Sequence, residues 1–147
     1  MRSWLWLAPF LLAGCVDTTQ CGLPQKWQPC AGETQEPGAT GSPPTITSLS
    51  MPTCAYVDNP IINGTLQVND VDGDQQVAHV TTSQGGARLD EADTILGPSL
   101  LMGKDWSGPL VLTIAGSSPA SFDIRVKVDD QAGGQSLPVC NTVSLVQ

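Results

Sequence analysis

The chain has few cations, few aromatics and a single histidine. Six Lys and Arg stand against 14 Asp and Glu, a net charge of −8 over 147 residues. No basic patch interrupts this acidity, and an acidic surface repels the phosphates of nucleic acid. Nucleic acid is therefore excluded as a partner. Outside the first 14 residues the aromatic rings are Trp27, Tyr56, Trp106 and Phe122 alone, too few to assemble a sugar-stacking cleft. One His and the lack of two cysteines spaced two to four apart disfavour a zinc site. The serines of "SQGG" and "AGSSPA" sit on no nucleophile elbow, and "QAGGQS" reads as a hairpin turn, not a phosphate cradle. His79, alone in "QQVAHVTTS", is expected to be a structural or exposed side chain and not a general base. These absences together describe a protein that is not an enzyme and has no organic cofactor.

A long hydrophobic run is missing as well. A spanning helix needs about 20 apolar residues, whereas "MRSWLWLAPFLLAGCV" offers only Trp4 to Leu12 before the small residues Ala13 and Gly14 and the polar Asp17. One cation, a short apolar core and a small-residue cleavage site are the parts of a secretory signal, expected over residues 1–14. Leu12-Ala13-Gly14-Cys15 resembles the lipobox of bacterial lipoproteins. The resemblance implies a diacylglyceryl group on the Cys15 thiol, cleavage after Gly14 and acylation of the new amine. One fatty chain binds a membrane marginally, and two or three on one residue hold it stably. Val16 is not the aspartate that retains such proteins at the inner membrane of enteric bacteria, so the outer membrane is favoured. An ordinary cleaved signal is the alternative. Loss of Arg2 with the leader takes the net charge to about −9.

With Cys15 assigned to lipid, Cys21, Cys30, Cys54 and Cys140 remain, an even number that suggests two disulfides in an exported chain. Three pairings are possible, and the expected one is Cys21–Cys30 with Cys54–Cys140, a local loop and a tie between domain ends. Residues 15–44 are rich in Thr, Gln, Gly and Pro without apolar periodicity, and read as a lipid-anchored tether with a small Cys loop. Trp27 is expected to fold over that loop.

From residue 45 to 147 the pattern changes to strands. In "IINGTLQVND", Ile62, Gly64, Leu66 and Val68 fall on one side, and Asn63, Thr65, Gln67 and Asn69 on the other. In "SFDIRVKVDD", Phe122, Ile124, Val126 and Val128 oppose Asp123, Arg125, Lys127 and Asp129. Strict period-two alternation means one buried and one wet face. "TITSLSM", "QQVAHVTTS", "PLVLTIAG" and "SLPVCNTVSLV" complete an all-β sandwich with turn residues between them. The segment 86–106 is ambiguous: "LDEADTIL" suits a helical turn, or a loop and edge strand with Trp106 over the core.

"VNDVDGDQQV" (residues 68–77) is similar to the turn after an early strand in bacterial cadherin-like and other immunoglobulin-like repeats. "VKVDDQAGGQS" (residues 126–136) resembles their penultimate strand and the hairpin beyond it. The resemblance implies an immunoglobulin-like sandwich, with Asp70, Asp72 and Asp74 brought near Asp129 and Asp130 at one end. Five clustered carboxylates would suit calcium, which takes six to eight oxygens; the alternative is solvated turns. The spacing excludes an EF-hand, because Gly73 at its sixth position would put Val68 at the first ligand.

The expected function is a non-enzymatic lipoprotein of the bacterial envelope, presenting a binding or structural module to an envelope protein or polysaccharide. A calcium-dependent adhesion or assembly module is the first alternative, and an envelope hydrolase the second.

Overall fold

The computed structural model describes residues 21–96 and 105–147. The leader expected over residues 1–14, Cys15 and the stretch 97–104 lie outside them. The described residues form ten strands and no helix: β1 (Gln25–Lys26), β2 (Gln28–Pro29), β3 (Thr45–Met51), β4 (Cys54–Tyr56), β5 (Ile61–Asn69), β6 (Gln75–Gln84), β7 (Ala87–Ile95), β8 (Asp105–Thr113), β9 (Ala120–Asp130) and β10 (Val139–Val146). One sheet runs β1-β3-β5-β8 and the other β2-β10-β9-β6-β7. All these neighbours are antiparallel; β4 alone adds in parallel to the far end of β10. The fold is an all-β sandwich.

Alternation built it. Ile62, Leu66 and Val68 of β5 point inward and meet Phe122, Ile124, Val126 and Val128 of β9 across the sandwich, with Leu49, Leu110, Leu112, Val143 and Leu145 filling the layers between. Gly64 holds an inward position because a Cβ there would collide with the Met51 side chain and approach the Ser50 carbonyl at 2.6 Å. Fully burying each aliphatic side chain contributes about 1.5–3 kcal/mol.

The segment 86–106 contains no helical turn where it is described. β7 pairs along β6 as an edge strand, joined to it through Gly85 and Gly86 at φ of +56° and +82°. Two left-handed residues in a two-residue loop are what a tight hairpin requires. Trp106 on β8 is partly buried against the core.

Two expectations about the N-terminal region are corrected. Residues 21–44 do not hang free as a tether; they run along the sandwich as a strap. β1 pairs with Ser50 and Met51 of β3 in one sheet, and β2 pairs with Val139 and Cys140 of β10 in the other. Trp27, between them, plugs the gap at the sandwich edge. It is 2 % exposed and its Nε1 donates to the Met51 carbonyl at 3.1 Å, so it covers the core and not its own loop. The strap then crosses the far end of the sandwich: Glu36 and Gln135 bond backbone to backbone, and the Ala39 amide donates to the Ala132 carbonyl. Glu33 clasps Arg125 of β9 through two hydrogen bonds, 3.0 Å to Nε and 2.5 Å to Nη2.

The disulfides follow from this course. They are Cys21–Cys54 and Cys30–Cys140, with Cα separations of 5.2 and 5.0 Å, and not the expected pairs. Cys21 and Cys30 sit at opposite ends of a drawn-out run containing β1, Trp27 and β2, so they cannot reach the roughly 5–6 Å that a bridge needs. The closed loops span 33 and 110 residues, worth about 3.7 and 4.8 kcal/mol taken singly in the chain-entropy account.

A candidate cation site of three aspartates

β5 runs from the end of the sandwich near Cys54 to the opposite end, where it delivers the turn that starts at Asp70. The Asp70 side chain closes that turn: Oδ1 accepts from the Asp72 amide at 3.0 Å and the Gly73 amide at 3.3 Å. Gly73 is left-handed at φ +75°, a conformation that costs glycine little and other residues more. β9 ends at the same level with Asp130, whose Oδ1 accepts from the Gly134 amide at 2.7 Å across the next hairpin. The two turns are knit together where the Gln131 amide donates to the Asp74 carbonyl at 3.1 Å.

This arrangement points three carboxylates at one another. One oxygen from each of Asp70, Asp74 and Asp130 lies within 4.8 Å of the others. Asp70 is fully buried and Asp130 is 4 % exposed. Asp70 Oδ2 and Asp74 Oδ1 are shut off from solvent without a hydrogen-bond donor. Two like charges at that distance repel by about 3.5 kcal/mol at an effective dielectric constant near 20. Desolvation, followed by the charges of Asp70 and Asp130, pushes the Asp74 carboxyl up from its ordinary value. A proton shared at Asp74 relieves the crowding; so does a cation. The donor set is all carboxylate oxygen, which suits a hard divalent ion such as calcium and not a soft one.

The other two aspartates of the expected five point elsewhere. Asp72 Oδ2 accepts from the Ser42 amide of the strap at 2.6 Å. Asp129 turns to the outer sheet face, where Oδ2 lies 3.1 Å from His79 Nε2 and Oδ1 3.5 Å from Lys127 Nζ. The other ring nitrogen of His79 meets Asp93 at 2.6 Å, with Glu91 at 3.6 Å. Glu91 also pairs with Arg88. His79 thus sits in a ladder of ionisable side chains across β9, β6 and β7, beside a shallow surface cavity of about 330 Å³ lined by Thr81, Arg125 and Lys127 among others. Sequence reasoning missed this ladder because it left β7, which supplies Asp93 and Glu91, open between a helical turn and an edge strand; the Gly-Gly pair before it was the available signal.

No protein-family model matches this chain, and no curated protein is significantly similar to it.

Proposed function

We propose that the chain is a membrane-anchored lipoprotein of the bacterial envelope whose sandwich is a non-enzymatic binding or structural module. One observation carries the reading. Of the five cysteines, four are consumed by two disulfides, which leaves Cys15, in its Leu-Ala-Gly-Cys setting, for lipid. Disulfides of this kind belong to an oxidising compartment, and Val16 after the lipid cysteine favours the outer membrane. The module would act by display, holding a surface for an envelope protein or polysaccharide. Mass spectrometry of the native product tests the reading: the first peptide should begin at Cys15 and carry acyl mass, and Cys15→Ser should lose membrane fractionation. A residue-15 thiol without acyl mass overturns it.

A second reading rests on the buried Asp70 oxygen that lacks a donor. In it the end formed by Asp70, Asp74 and Asp130 holds calcium, as the resemblance to cadherin-like repeats implies, and the ion stiffens the turns for adhesion or assembly. The triad supports this with three residues where the sequence suggested five. Millimolar calcium should raise the melting temperature of the wild type and not of Asp70→Asn; an unchanged wild type removes the reading.

A further inference from the structure

We infer that the end of the sandwich beside the Cys21–Cys54 bridge rests on the bilayer, with Tyr56 and Ile61 in its headgroup–acyl boundary, while the aspartate end points away. This rests on the lipid anchor at Cys15 and adds to it a fixed orientation. Only five residues separate Cys15 from Cys21, so six steps of chain reach at most about 20 Å. The bridge to Cys54 ties Cys21 to the sandwich itself. With the strap docked along the strands, no flexible spacer remains between the bridge and the domain.

The surface at that end suits a lipid boundary. Tyr56 and Ile61 are 42 % and 47 % exposed, and they line one surface cavity of about 310 Å³ together with Cys21 and Gly22. Leu23, two residues beyond Cys21, is more exposed still. A tyrosine with an apolar body and a polar tip favours membrane interfaces. The nearby loop carries one acid, Asp58. Asp70, Asp72, Asp74, Asp129 and Asp130 all lie toward the opposite end, beyond β5 and at the close of β9. Anionic headgroups repel that end, so charge and tether length favour the same orientation.

Tryptophan reporters test the placement. The lipidated protein carrying Ile61→Trp, and separately Val71→Trp in the exposed turn of the aspartate end, is reconstituted into phosphatidylethanolamine–phosphatidylglycerol vesicles containing lipids brominated near the top of the acyl chain. The emission added by Ile61→Trp should fall at least twofold relative to unbrominated vesicles, and that added by Val71→Trp should not change. Tyr56→Trp repeats the measurement should Ile61→Trp fold poorly. Protein that floats with the vesicles yet shows no quenching at residues 56 and 61 overturns the orientation alone. A blue shift without bromine quenching, growing with protein density, assigns the face to a second copy of the chain and overturns it too. Protein that fails to float overturns the anchor and the orientation together.

Discussion

The strap (residues 21–44) and the long strands β5 and β9 are held in the same structure by different means. In the strands the inward side chains at alternate positions are buried, so stability is spread over many small contributions and is written into the sequence as alternation. The strap has four strand residues in all, one buried ring and two cysteines. Its attachment is concentrated at a few points: the Trp27 side chain, the two bridges, the Glu33–Arg125 clasp and backbone bonds to the 132–138 region. A distributed attachment fails gradually under substitution. A concentrated one fails at named positions.

The largest effect should come from the longer bridge. Replacing Cys30 and Cys140 together by Ala should lower the unfolding free energy by up to about 4.8 kcal/mol, measured by urea denaturation against the wild type. A loss under about 1 kcal/mol would mean that backbone pairing alone fixes the strap. Trp27→Ala comes next, at about 3–5 kcal/mol for an aromatic removed from a packed interior. It should also raise amide exchange at residues 25–28 above that of β5. Equal protection in both regions would erase the contrast between them.

Strap and strands meet over the aspartate turns, and there the expected signal is a pH dependence. The Asp74 carboxyl is raised in the folded state, so its contribution is fully present below the unfolded carboxylate range and is lost as pH rises through the folded value. In chelator the melting temperature should therefore decline from pH 4 toward pH 7, and Asp74→Asn should flatten the decline. If the triad takes calcium, added ion should restore stability at pH 7 and do little at pH 4. The smallest effect belongs to Glu33→Gln. The Arg125 guanidinium holds the Glu33 carboxyl below its usual value, but both groups are exposed by about a third. The loss should stay below about 1 kcal/mol and should shrink as pH falls and the Glu33 carboxylate is protonated.

β5 and β9 were legible because each buries one face. Their inward residues, Ile62, Leu66 and Val68, and Phe122 through Val128 at alternate positions, are the ones the pattern names. β7 stayed undecided between a helical turn and an edge strand because none of its residues is buried, so alternation never arose; the turn chemistry of Gly85 and Gly86 would have decided it. The strap has the composition of a linker, and nothing in Pro, Gly and Thr distinguishes a chain laid on a surface from one in solvent. For the same reason the disulfide pairing was beyond local reasoning. At the aspartate end, the resemblance to cadherin-like repeats implied that Asp70, Asp74 and Asp130 come together, as they do. What it could not divide were Asp72 and Asp129, whose directions are set by Ser42 and His79 from other parts of the chain.

The interleaved bridges carry a consequence for biogenesis. Numbered in order of emergence after Cys15, the first thiol joins the third and the second joins the fourth. If the chain is exported as proposed, Cys21 and Cys30 meet the oxidant long before Cys140 arrives. Oxidation of successive thiols would then lock the first to the second, and thiol–disulfide exchange would be the route from that species to the native pairs. Cells deprived of a disulfide isomerase should accumulate the Cys21–Cys30 species.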